Sequence, residues 1–272
     1  MGAVERLEHH EIEGLRVGRF GGAINTTCIL YRLGDTVIDT GPPNQWRTVR
    51  RFLAEREVRR VVVTHHHEDH SGNLARLEDE ETPVYAPPES RPPLTRGFRL
   101  RAYQRIVWGR PARVEPRPLP PAIVLPGGLD LRPIATPGHS ADMTCFLEPN
   151  RGWLFSGDLY IGTRTRALRG DEDLGAQLDS LRRVLELDFD TVLCSHRGVL
   201  LDGRERLRAK LDYLESLCQA ARELRREGFG TGQITRRLLG REGLFTWVTG
   251  FHFSKRNLIE HCLRLPPDAA DA

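Results

Sequence analysis

A chain of 272 residues has room for one large domain, or one domain with an appendage. With 28% charged and 39% hydrophobic residues it reads as globular rather than disordered, and a formal net charge of +3 is too small to argue for a nucleic-acid partner. Five scattered cysteines with no CxxC pair read as buried free thiols in a reducing compartment; the N-terminus shows no apolar leader core, no apolar run reaches the about 18 residues of a membrane span, and the expected location is the cytoplasm.

In chain order, "TTCILYRLGDTVIDTGPP" predicts two strands joined by a Gly-Asp turn. The spacing of Trp46, Val49, Phe52 and Leu53 predicts a helix. "RRVVVT" predicts a buried strand, "SGNLARLEDE" a helix capped by Ser71, and "TPVYAPPE" a further strand. This alternation predicts a layered α/β domain. Residues 90–121, rich in proline and arginine, predict an irregular insertion over one face of the core, with a short helix at "RAYQRIVWG". Strands resume at "LDLRPIATPGHS", "MTCFLEPN" and "RGWLFSGDLY". Leu174, Leu178, Leu181 and Leu185 predict an amphipathic helix, followed by a final strand and loop at "DTVLCSHRG". From Arg204 to about Leu265 the pattern is helical, broken at "GFGTG" and "GREG", with Trp247, Phe251 and Leu258 expected to pack. The expected organisation is a domain over 1–203 and a helical extension over 204–272.

The chemistry concentrates in "VVVTHHHEDHSGN", which sets four histidines and two carboxylates in six consecutive positions, 65–70. In an extended exit from a strand, residues i and i+2 point the same way, so His65 and His67 can meet one ion. Asp69 and His70 follow after the chain has turned, while His66 and Glu68 alternate out of the set. His139 in "TPGHS", Asp158 in "SGD" and His196 in "SHRG" stand at three later strand ends. So many ionisable groups in one tight loop would repel one another without a cation. "RRVVVTHHH" and "DTVLCSHRG" echo each other, each an apolar strand delivering a hydroxyl residue and then histidine.

"THHHEDHSG" matches the HxHxDH signature of the metallo-β-lactamase superfamily. With Asp39 in "VIDTG", then His139, Asp158 and His196 in order, the chain resembles that superfamily from about Asn25 to about Gly198. The resemblance implies an αββα four-layer sandwich, its C-terminal helical extension covering the active-site mouth. It also implies two divalent ions, zinc first, with iron or manganese as alternatives. His65, His67 and His139 would hold one ion and Asp69, His70 and His196 the other; Asp158 would bridge them, and Asp39 would orient the ligand loop. The complete set looks like the glyoxalase II, lactonase and nuclease branch. "CSHRG" departs from glyoxalase II, and Tyr160 falls one residue short of the lactonase tyrosine.

The expected activity is hydrolysis of a small ester, thioester or lactone by a hydroxide shared between two metals. Asp158 would hold the ions and Asp69 would accept the proton of the attacking water. A phosphodiesterase or nuclease on the same site, and a non-catalytic ligand-binding member, are the alternatives. Arg164 and Arg166 are candidates for binding a small anionic substrate, together with Tyr160. His252 in "TGFHFSKRN" is expected to reach the pocket from the tail; the competing reading is a helix start capped by Ser254. No membrane or nucleic-acid partner is expected, and a homo-oligomer is left open.

Overall fold

The computed structural model describes residues 2–21 and 26–266. The chain divides into two compact units, one formed by 1–136, 141–161 and 188–204, the other by 137–140, 162–187 and 205–272. Among the described residues no helix is long and apolar enough to cross a membrane.

The first unit contains two sheets. One is ordered β1 (Ala3–His9), β2 (Ile12–Gly18), β3 (Cys28–Leu33), β4 (Thr36–Ile38), β5 (Arg60–Val62), β6 (Val84–Ala86) and β7 (Arg117–Pro118). Its first four strands pair antiparallel and the rest parallel. Helix α1 (Trp46–Leu53) joins β4 to β5 and α2 (Leu74–Asp79) joins β5 to β6. The 90–121 segment carries α3 (Arg91–Arg96) and α4 (Ala102–Val107), so it is more regular than its prolines suggest. The second sheet takes β8 (Ile123–Val124), β9 (Asp130–Ala135), β10 (Thr144–Glu148) and β11 (Trp153–Gly157). After β12 (Leu168–Arg169) and α5 (Leu174–Leu185) of the other unit, it adds β13 (Thr191–Cys194) and β14 (Gly198–Leu200), so the sheet runs β14-β13-β11-β10-β9-β8.

Strand β3 shows why the layers form. Every residue of "CILYRL" is buried, and the side chains alternate between faces. Ile29, Tyr31 and Leu33 pack with Leu131, Phe146, Phe155 and Leu193 of the second sheet. Leu30 faces the other way, into a cluster with Val49 and Phe52 of α1 and Leu74 and Leu77 of α2. Each such side chain contributes about 1.5–3 kcal/mol by leaving water, and a one-residue slip of β3 would exchange the two faces.

In the second unit, α5 buries Leu174, Leu178, Leu181 and Leu185, the stripe its spacing predicts, and Asp173 caps it by accepting from the Ala176 amide at 3.0 Å. Helices α6 (Gly203–Arg226), α7 (Thr231–Leu239), α8 (Leu244–Val248) and α9 (Lys255–Arg264) follow. Strand β15 (Phe253–Ser254) pairs antiparallel with β12. Ser254 caps α9, its Oγ accepting from the Asn257 amide at 2.9 Å.

Three expectations need correction, and one element is unexpected. The polar N-terminus is a hairpin, β1 and β2, turned at His10, which has φ 51°. Helix α2 is entered at Asn73, and Ser71 is no cap; its hydroxyl donates to the carbonyls of His66 and His67 at 2.6 and 3.0 Å. "DTVLCSHRG" is not the last strand, because β14 and β15 follow. Leu258 is buried as expected, but Trp247 is 65% exposed because α8 turns Thr246 inward instead, and Phe251, beyond α8, is 48% exposed.

Candidate metal centre

The 65–70 segment leaves β5 through Val63 and Thr64 and is held from below by Asp39. One Asp39 oxygen accepts from the Thr64 amide at 2.8 Å and from its hydroxyl at 3.0 Å. The other accepts from His70 Nδ1 at 2.8 Å. Asp39 itself has φ 62°, a left-handed conformation that aspartate tolerates better than most residues. The turn closes when the His70 and Ser71 amides donate to the His67 carbonyl at 3.0 and 2.9 Å. Gly72 lets it pack tightly, since a Cβ there would stand 2.5 Å from the Glu68 carbonyl and 2.6 Å from that of Gly41. Gly157, with φ +46°, does the same at the end of β11: a Cβ would meet Met143 Cε at 2.3 Å. Asp158 follows it directly.

These backbones bring the ionisable groups of the first unit together. His70 Nε2 lies 3.3 Å from Asp158 Oδ1 and 3.6 Å from Asp69 Oδ2. His196 Nε2 lies 3.0 Å from the same Asp158 oxygen and 3.8 Å from Asp69 Oδ2. His65 Nε2 and His67 Nδ1 face each other at 2.8 Å. All six residues are buried.

The far ring nitrogens fix which nitrogen is offered. Carboxylates and carbonyls only accept, so Nδ1 of His70 carries the proton given to Asp39. Nδ1 of His196 likewise donates to the Thr27 carbonyl at 2.6 Å. Nε2 of each ring is then the donor atom available to a cation. The Thr64 hydroxyl, which donates to Asp39, accepts from His65 Nδ1 at 3.0 Å and orients that ring in the same sense.

Electrostatics point the same way. Burial by itself lowers the His70 imidazole, but Cys28, Asp69, Asp39 and Asp158 outweigh it and push it well above its ordinary value. Burial also lowers His196, and Asp158 and Asp69 overturn that and push it up. The cluster thus draws positive charge inward. Yet His70 Nε2, fully buried, has no hydrogen-bond partner. Ligand atoms of His65, His70 and Asp158 lie within 4.8 Å of one another. A buried, imidazole-and-carboxylate donor set with an orphaned nitrogen fits a divalent metal ion.

His139 belongs to the second unit, on the short turn 137–140 between β9 and β10. That turn is tied by the Asp173 amide donating to the Gly138 carbonyl at 2.7 Å and the Ser180 hydroxyl donating to the Pro137 carbonyl at 2.8 Å. His139 Nδ1 is 3.7 Å from Glu172.

Sequence reasoning missed Asp142. It accepts from the His66 amide at 2.7 Å, from His66 Nδ1 at 2.9 Å and from the Ser90 hydroxyl at 2.5 Å. Burial raises its carboxyl, but His66 overturns this and holds it well below the usual range. The signal available was a carboxylate three residues beyond His139 in "HSAD". His66 is thereby turned to Asp142 and meets the Phe98 ring edge-on at 4.9 Å, while Glu68 accepts from Gln104 of α4 at 2.9 Å.

The expected substrate residues are placed as follows. Tyr160 is buried, and its carbonyl accepts from the Cys194 thiol at 2.8 Å. Arg164 and Arg166 are exposed, on the segment where the Tyr213 hydroxyl donates to the Thr165 carbonyl at 3.0 Å. His252 is buried, with Nε2 3.2 Å from Asp171, which Arg169 also grips through two bonds of 2.9 and 2.8 Å. Burial raises the Asp171 carboxyl, and His252 and Arg169 together bring it well below its ordinary range.

A family model described as the metallo-beta-lactamase superfamily matches residues 20–196. A lactamase-like protein of Emericella nidulans is 28% identical over 201 residues, 72% of this chain and 58% of that protein. An atrochrysone carboxyl ACP thioesterase of Claviceps purpurea is 31% identical over 156 residues, 56% of this chain and 42% of that protein. The chain spans about half the length of these curated relatives. The crystal structure of a beta-lactamase domain protein from Burkholderia ambifaria shares the fold, with a TM-score of 0.71 at 20% identity over 95% of this chain and 87% of that one.

Proposed function

This chain belongs to the metallo-beta-lactamase superfamily, and on that premise we propose that it is a metal-dependent hydrolase cleaving a small thioester, ester or lactone. The observation that carries the reading is the approach of His70 and His196 Nε2, at 3.3 and 3.0 Å, to one Asp158 oxygen beside Asp69. Two ions are proposed, zinc first. His65, His67 and His139 would hold one, and Asp69, His70 and His196 the other, with Asp158 shared. When bound, the ions supply Lewis-acid polarisation of the acyl oxygen and a water whose pKa falls to about 7.

The chain's own residues do the rest. Asp69 takes up a proton of the attacking water at its carboxylate. Asp39 keeps the His70 ring fixed through Nδ1, and Asp142 fixes the 65–70 loop through His66. Arg164 and Arg166, both exposed, are proposed to receive an anionic group of the substrate. The thioester stands first among the substrates because a relative bears that activity in its name.

The test is metal analysis of the purified chain, followed by a panel of acyl thioester, lactone, aryl ester and bis-aryl phosphate. Close to two ions per chain is expected, with turnover of a carbonyl substrate that Asp158→Ala reduces to background. A well-folded chain that binds no divalent ion overturns the proposal. Turnover confined to the phosphate diester reassigns the site to phosphodiester cleavage.

A further inference from the structure

Cys28, the first residue of β3, is given no ligand role above, yet the chain holds it tightly against that site. Its neighbours on both sides are pinned to the loop bearing His196. The Thr27 carbonyl accepts from His196 Nδ1 at 2.6 Å, and the Ile29 amide donates to the Ser195 carbonyl at 2.7 Å. The side chain is fully buried, and its Sγ, an Asp69 oxygen and a His70 ring nitrogen all lie within 4.8 Å of one another.

The other buried thiols of the first unit are committed elsewhere. Cys194 Sγ donates to the Tyr160 carbonyl at 2.8 Å and accepts from the His196 and Arg197 amides at 3.4 and 3.2 Å. Cys145 Sγ lies 3.3 Å from the Thr136 hydroxyl and 3.5 Å from the Ser156 carbonyl. Cys28 makes a contact of 3.9 Å with the carbonyl of the next residue, long even for sulfur. A second observation is independent of the cysteine: fully buried His70 has no hydrogen-bond partner at Nε2, which lies 3.6 Å from an Asp69 oxygen.

We propose that Cys28 supplies a thiolate to the cation held by Asp69 and His70, so that this half of the site is a mixed nitrogen, oxygen and sulfur site selecting thiophilic divalent ions. The inference rests on the metal-binding reading above. On binding, the Cys28 S–H bond is lost, its proton passes to solvent and a sulfur–metal bond forms. A thiolate favours zinc, cadmium and cobalt over manganese and magnesium, which prefer oxygen.

The experiment loads the full chain with cobalt(II) and follows its near-ultraviolet absorption beside its cobalt content. A sulfur-to-cobalt charge-transfer band is expected in the wild-type protein. It should persist in Cys194→Ser and Cys145→Ser and vanish in Cys28→Ser, which still binds cobalt. Cadmium should give the corresponding band in the wild-type chain, a readout that needs no folded variant. Cobalt bound without a sulfur band, or a band that survives Cys28→Ser, overturns the Cys28 assignment and leaves the metal site standing. A folded chain that takes up no cobalt overturns both.

Discussion

Asp39 divides its two oxygens between backbone and ring: Thr64 on one, His70 Nδ1 on the other. Two substitutions separate these duties. Asparagine tolerates φ near +60° and keeps one carbonyl oxygen for Thr64, but presents an amide to a ring nitrogen that must donate. Asp39→Asn is therefore expected to keep most of the stability while weakening metal binding by about 10- to 100-fold, as loss of an orienting partner does elsewhere. Asp39→Ala also strands the buried Thr64 amide, at roughly 1–3 kcal/mol. Chelator competition and thermal melts measure the two effects apart; unchanged metal affinity in Asp39→Asn would refute the orienting role. The candidate donors themselves are legible at this scale because the strand-exit alternation separates His65 and His67 from His66. Asp142 is not, because its tie to His66 spans 76 positions, and a carboxylate three residues beyond His139 does not by itself say what it holds.

Elements with a strong period are legible from the chain alone. Strand β3 and helix α5 bury the residues their spacing selects, and α1 buries Val49, Phe52 and Leu53 with Trp46 half-buried against the same cluster. The hairpin of β1 and β2 is not, because "AVERLEH" intersperses charge along a strand at the edge of the sheet and its turn relies on a left-handed histidine. Helix α8 misleads for the opposite reason: apolar residues dominate "LFTWV", yet Leu244, Trp247 and Val248 all face solvent. At the start of α9 one residue serves two elements. Ser254 pairs with Leu168 across β12 and β15, and its hydroxyl oxygen accepts from the Asn257 amide. Ser254→Ala should cost about 0.5–2 kcal/mol through the lost cap. It should also speed hydrogen exchange at the Asn257 amide while β12 and β15 stay protected, since their pairing uses backbone alone. Unchanged exchange at Asn257 would show that the cap carries no weight.

Over the whole molecule, the donors of the first unit come from three loops that follow β5, β11 and β13, with β11 and β13 running parallel. Each loop begins where a buried strand stops, so the same apolar runs that build the core fix where the ionisable groups converge. An ion that binds only the assembled cluster stabilises the fold by mass action. At a free concentration one hundred times its dissociation constant, one ion contributes about 2.7 kcal/mol. For a chain of this size roughly 2–4 °C accompanies each kcal/mol, so stripping one ion should lower the melting temperature of the two-sheet unit by about 5–10 °C. Calorimetry before and after chelation, with metal content measured on each sample, checks this. Returning zinc should restore the transition, and manganese should restore less of it if sulfur is among the ligands. A chain shown to be stripped of metal that melts where the loaded chain melts would mean that the cluster is satisfied without a cation, and the ion pairs of His70 and His196 with Asp158 would then be its resting state.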